Sequence, residues 1–212
     1  MKEKYSDITG IILSGGLSSR MGVDKGLLKI GNKSIIERLS TLMSRLFQNI
    51  LISTNDFESY NFISSPMVAD IYKGFGPISG IHATLAASKT EKNFILTCDM
   101  PLMSEEMIRY IVEFNSTKQI SIPFANGRSQ YLCGVYHKSV ISIIEKMVND
   151  SAGSKNNNGK ISTSVKQLIE NANADNIETE CLTFFNENIF FNMNTTDDYD
   201  FIKKKFQNEK TT

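Results

Sequence analysis

The 212-residue chain contains no run of about 18 consecutive apolar residues, which excludes a helix that crosses a bilayer. Nor does it carry an excess of either charge, since 23 Lys and Arg stand against 23 Asp and Glu. No global field therefore draws it to nucleic acid or to an anionic membrane, and any anion must be held by a local cluster. Cysteine is scarce. Cys98, Cys133 and Cys181 are odd in number, far apart and not in C-x-x-C spacing, which argues against both a disulfide framework and a zinc site. His82 and His137 are isolated, and a lone histidine is more often structural than catalytic. The charged start "MKEKYSD" leads directly into an apolar strand, unlike a signal peptide. The expectation is a cytoplasmic protein of one domain over 1–212, with a flexible Asn-rich loop at about 149–162 and a tail at about 207–212.

What is present is an alternation of strand and helix signals. "ITGIIL" (8–13) reads as a buried strand, "SIIERLSTLMSRLF" as a helix with Ser34 and Glu37 in a capping box, and "NILIST" (49–54) as the next strand. Such a βαβ unit implies parallel pairing. A helix over 76–88, a central strand over 93–98 and a helix over 104–114 capped by Ser104 repeat the pattern. Strands at 119–124 and 130–136 flank "ANGR", followed by helices at 138–148 and about 163–172 and a strand near 180–185. A last strand should carry Asn192 and Asn194 into a helix opened by Thr195 and Asp198. The fold class is α/β, with a mostly parallel sheet and helices on both faces. In such sheets ligands bind outside the carboxyl ends of the strands.

Polar residues of unusual type fall at those ends. "ILSGGLSSRMGVDKGLLKI" (12–30) is not a P-loop, because no G-x-x-x-x-G-K-[ST] can be laid on it and Lys25 follows Asp24. Nor does it hold G-x-G-x-x-G; "GFGPISG" (74–80) misses that pattern by one residue. Gly15 and Gly16 let backbone N–H groups approach a ligand, and Ser18 and Ser19 add hydroxyl donors. Arg20 offers a planar fork for phosphate oxygens and Lys25 a point charge. The loop reads as a cradle for a polyphosphate, with a solvated basic turn as the alternative. In "TCDMP" (97–101) Asp99 ends a hydrophobic strand before a strand-breaking proline, a place suited to Mg²⁺, which takes one or two carboxylates plus substrate phosphates. The alternative, Asp99 as a helix cap, is weakened by Ser104. Asp70 is a turn residue or a ligand acceptor. Asn192 and Asn194 alternate about Met193 and should share one face of a strand.

"LSGGLSSRMGVDKGLL" resembles the L-x-G-G-x-S-x-R-M-G-x-D-K signature of the molybdenum cofactor guanylyltransferases, members of the nucleotidyltransferase superfamily. "CDMP", the run from Asp70 into "GPISGI", and "FFNMNTTDDY" resemble further stretches of that family. Ser14 stands where the family usually has alanine and Thr196 where it has proline, while 149–162 does not match. The resemblance implies a three-layer Rossmann-like nucleotidyltransferase fold that moves GMP from GTP to the terminal phosphate of molybdopterin. It implies nucleotide binding by Leu13, Ser14, Gly15, Gly16, Lys25, Asn55, Asp70 and Asp99, catalysis by Arg20, Lys25 and Asp99, and Mg²⁺ on Asp99. Asn192 and Asn194 fall on the acceptor side. Its implied partners are GTP and the molybdopterin acceptor, and it admits molybdenum insertion proteins and molybdoenzyme chaperones.

Two rivals stand beside this reading. Cytidylyl-transferring relatives generally read L-A-A-G and D-Q-P where this chain has L-S-G-G and D-M-P, so guanine is favoured. A catalytically silent nucleotide-binding module would have no need of Arg20, Lys25 and Asp99 together.

Overall fold

The computed structural model describes residues 3–14, 23–152 and 163–208. Chain order begins with β1 (Tyr5–Leu13), a small antiparallel pair β2 (Lys29–Ile30) and β3 (Lys33–Ser34), and α1 (Ile35–Leu46). At the start of α1, Ser34 Oγ accepts from the Glu37 N–H while Glu37 Oε2 accepts from the Ser34 N–H at 2.6 Å, so two orphan donors are satisfied reciprocally. Next come β4 (Phe47–Ser53), the short β5 (Met67–Val68), α2 (Pro77–Ala87), β6 (Lys92–Thr97) and α3 (Glu105–Glu113). Pro77 occupies the first turn of α2, where its missing N–H costs nothing, and Ser104 accepts from Met107 N–H at 3.2 Å to cap α3. The remainder is β7 (Ile120–Ala125), β8 (Arg128–Ser129), β9 (Cys133–His137), α4 (Ile141–Ala152), α5 (Val165–Asn171), β10 (Asp175–Glu178) and α6 (Thr196–Asn208).

The main sheet has the order β10-β7-β9-β6-β1-β4-β5, with β8 hung on β7. Strands β6, β1, β4 and β5 are parallel to one another, and β10 is parallel to β7. β9 runs antiparallel to both β6 and β7. Side chains alternate across the sheet and build a core on each face. Ile8 and Ile12 of β1, with Phe94 and Leu96 of β6, pack against α1, α3 and α6. Ile11 and Leu13, with Ile95, face α2, α4 and α5. This is the expected three-layer α/β architecture. Among the described residues no helix is long and apolar enough to cross a membrane.

Two expectations fail at the C-terminal end. The strand expected near 180–185 is β10, earlier in the chain; residues 180–185 form turns. Thr179 Oγ1 donates to Phe124 O at 3.0 Å where the ladder with β7 ends, and Leu182 and Phe185 then pack onto the core as loop residues. The second failure is the strand at 189–194. Ile189, Phe190 and Met193 are all buried, a spacing incompatible with two-residue alternation, and the segment has no strand neighbour. "ANGR" does make the expected excursion: Asn126 and Gly127 both take positive φ, as a two-residue hairpin between β7 and β8 requires.

Packing is tight where β9 lies between β6 and β7. Gly134 has φ of +154°, and a Cβ there would collide with Ser121 O and sit 2.8 Å from Ile122 Cγ2. Gly134→Ala should therefore lose about 3 kcal/mol of stability, combining backbone strain with overpacking. Urea unfolding measures it, and a change within about 0.5 kcal/mol, as for a surface site, would contradict the packing described.

Candidate active site

Four side chains mark the carboxyl ends of four adjacent parallel strands. Ser14 directly follows β1, and Asn55, Asp70 and Asp99 lie just beyond β4, β5 and β6. With neighbouring strands about 4.8 Å apart, the row from β6 to β5 spans about 14 Å. The chain goes from β1 outward to β4 and β5 and then returns to β6 on the other side, so β1 is the topological switch point at which such sheets bind ligands. Leu13 is buried beneath this edge. Gly15, Gly16, Ser18, Ser19 and Arg20 lie outside the described residues.

Lys25 and Asp99 meet at the centre. Lys25 Nζ stands 3.0 Å from Asp99 Oδ1 and donates to Asn194 Oδ1 at 2.9 Å. The lysine side chain is 12% exposed and the aspartate 31%, so the pair is shielded yet open on one side. Asn194 is held in turn by its backbone: its N–H and that of Thr195 both donate to Asp198 Oδ2 at 2.8 Å. Burial pushes the Asp198 carboxyl up, but the hydrogen bonds from Asn194 and Thr195, helped by the Lys25 charge, outweigh it and leave the group below its ordinary 3.8. Met193 N–H donates to Asp99 O at 2.9 Å, which ties the C-terminal segment to the backbone of the site aspartate. Asn192 does something different. Its amide donates to Phe190 O at 3.1 Å, so the two asparagines do not act as a matched pair.

The turn that carries Lys25 is fixed from below. Asp24 Oδ1 accepts from Gly26 N–H at 2.9 Å at the start of a single 3₁₀ turn. Ser14 Oγ and the Tyr60 hydroxyl share a 2.6 Å hydrogen bond, and Tyr60 is fully buried. A Cβ on Gly26 would lie 2.5 Å from both of those oxygens. Beside them, burial pushes the Cys98 thiol up to about 12, only partly offset by a hydrogen bond with Ser14, so it stays protonated and unreactive. Tyr60 and Gly26 were not singled out from the sequence; "FESYNF" gives no pattern that marks a buried tyrosine under a distant loop.

Asn55 and Asp70 also pair. Asn55 Nδ2 donates to Asp70 Oδ2 at 2.8 Å, and Asp70 N–H donates to Asn55 Oδ1 at 3.0 Å. A carboxylate offers about four lone-pair sites, so Asp70 retains acceptor capacity for a ligand. A groove of about 750 Å³ runs between the Gly74–Pro77 turn, Tyr131 and Leu132, and the start of α5 at Val165. Leu132 O accepts from Thr97 N–H at 3.1 Å, which sets this groove beside the strand end bearing Asp99.

Among the described residues no three His, Cys, Asp or Glu side chains gather closely enough to hold a metal ion. Asp99 fits a hard cation of the Mg²⁺ type, which accepts one carboxylate when water and ligand phosphates complete its shell.

Two outcomes test this geometry. The lowered Asp198 pKa contributes stability above the ordinary carboxylate range, and that contribution disappears as pH falls through the folded-state value. The difference in urea midpoint between the parent and Asp198→Ala should thus be largest near neutrality and shrink in acid; a constant difference would contradict the assignment. Gly26→Ala should leave the sheet folded by circular dichroism but displace Lys25, lowering turnover by about a hundredfold.

Comparison with known proteins identifies the family of the chain. The model of the MobA-like NTP transferase domain matches residues 10–167. A probable molybdenum cofactor guanylyltransferase of Clostridium perfringens is 34% identical over 200 residues, covering 92% of this chain and 96% of its own. One from Carboxydothermus hydrogenoformans is 36% identical over 140 residues, 66% of this chain and 71% of its own. In three dimensions, the crystal structure of molybdopterin-guanine dinucleotide biosynthesis protein A from Archaeoglobus fulgidus superposes with a TM-score of 0.78 at 22% identity, covering 94% of this chain and 99% of that one. The chain belongs to the MobA-like NTP transferase family, alongside the molybdenum cofactor guanylyltransferases, and is a nucleotidyltransferase.

Proposed function

We propose that the enzyme transfers GMP from GTP to the terminal phosphate of a molybdopterin, giving a guanine dinucleotide and pyrophosphate. The observation that carries this reading is the Lys25–Asp99 pair at the carboxyl edge of β6 and β1, the place where a triphosphate needs a cation and a metal needs a carboxylate. The names of relatives that cover nearly the whole chain, molybdenum cofactor guanylyltransferases, support the choice of a guanylyl transfer.

The chemistry asks little of the protein beyond alignment and charge. A phosphomonoester has its second pKa at about 6, so at neutral pH the acceptor is already largely dianionic and attacks without a general base. An acceptor oxygen bonds to the α-phosphorus, the bond from that phosphorus to the α–β bridging oxygen breaks, and pyrophosphate departs with the electron pair. Lys25 and Arg20 neutralise the charge that builds on the leaving group. Mg²⁺ bound to Asp99 would supply further neutralisation of the triphosphate. Asp70, steadied by Asn55, accepts from the N1–H and exocyclic amine of guanine. The planar ring system of the acceptor lies in the groove walled by Phe75 and Tyr131, where aromatic faces suit a flat heterocycle. Asn194 reaches the acceptor side by holding Lys25, and Asn192 by shaping the chain before it.

Titration calorimetry with GTP, CTP, ATP and UTP in the presence of Mg²⁺ tests base choice. GTP should bind roughly tenfold more tightly than CTP, a difference of about 1.4 kcal/mol that one or two base-edge hydrogen bonds can provide. Equal affinity, or a preference for CTP, would move the enzyme to the cytidylyl branch.

A further inference from the structure

Asp99 is the carboxylate assigned above to the divalent cation, yet its Oδ1 already faces one: the Lys25 ammonium, 3.0 Å away. The lysine is not a wandering surface side chain. Asn194 Oδ1 accepts its second hydrogen bond, Asp198 fixes the backbone of Asn194, and the Gly26 turn beneath is locked against Ser14 and Tyr60. A doubly charged metal arriving at Asp99 would meet this ammonium at close range, where like charges repel strongly in a partly desolvated site. It would also find no group of three His, Cys, Asp or Glu side chains placed to hold it among the described residues.

A nucleoside triphosphate resolves both difficulties. Its phosphate oxygens complete the shell of the metal, and the same oxygens offer Lys25 a denser anion than a single carboxylate. We propose that Lys25 is the resident counter-ion of Asp99 and gives up that carboxylate to the metal when a triphosphate draws the lysine away. Metal and nucleotide then bind as a coupled pair, each raising the affinity of the other by the same factor. In the empty enzyme the lysine keeps Asp99 neutralised and excludes stray divalent cations. Asn194 acts as a positioning residue that holds Lys25 in the blocking place. The inference rests on Asp99 being the metal ligand.

The test is binding of Mn²⁺ to nucleotide-free protein, read from the loss of the free-ion signal in electron paramagnetic resonance. Lys25→Met removes the ammonium while keeping much of the side-chain volume, and should bind Mn²⁺ roughly tenfold more tightly than the parent, within the usual range of coupled sites. The gain should vanish in the Lys25→Met, Asp99→Asn double variant. Asn194→Ala, which loosens the lysine without removing it, should give a smaller gain in the same direction, and serves as the probe if Lys25→Met does not fold. If neither variant tightens Mn²⁺ binding while Asp99→Asn still weakens it in the GTP complex, the counter-ion role is overturned and the metal role of Asp99 stands. If Asp99→Asn leaves Mn²⁺ binding unchanged with and without GTP, the metal assignment itself falls, and this inference with it.

Discussion

The position of β1 between two parallel partners constrains everything else in this molecule. Ile12 lies opposite Ile52 on one side and Leu96 on the other, and the register continues to Leu13 opposite Ser53 and Thr97. Because all three strands run the same way, they end at one edge, and the groups that follow them must gather there. Ser14 N–H donates to Ser53 O at 2.9 Å and Cys98 N–H to Leu13 O at 3.0 Å, so the ladder extends one step past the strands and fixes the first residues of each loop. Asp99 is placed by this ladder before its own side chain makes any contact.

Elements that satisfy a local rule are legible in the sequence. β1 is a β-branched run, α1 carries Ile35, Ile36, Leu39, Met43 and Leu46 on its buried face behind a capping box, and Ser104 caps α3. Elements held by partners distant in sequence are not. β10 reads "DNIE", with Ile177 its lone buried apolar residue, and exists because Ser121 to Phe124 of β7 present an open edge to it. The segment 189–194 looks like a strand because its residues favour strands, but the core takes Ile189, Phe190 and Met193 instead.

The site divides along the same line. Asp99, Asn55 and Asp70 lie just past strand ends, and Lys25, which sits in a 3₁₀ turn well beyond β1, is legible through its motif. That Asn55 and Asp70 bond to each other, or that Asn194 belongs to Lys25, depends on tertiary approach across many residues. The Ser14–Tyr60 bond is further removed from any pattern. Both of its oxygens occupy the space that a Cβ on Gly26 would need.

The clasp formed by Met193, Asn194 and Asp198 is drawn from sequence that follows every strand of the sheet. A ribosome delivers a chain from its N-terminus, so β1, β4 and β6 are made before residues 193–198. Until they emerge, Lys25 has no Asn194 to reach and the Asp99 carbonyl has no Met193 donor. The strands that build the sheet and the groups that hold Lys25 and Asp99 beside one another are thus supplied by separate parts of the chain, joined only by tertiary contact.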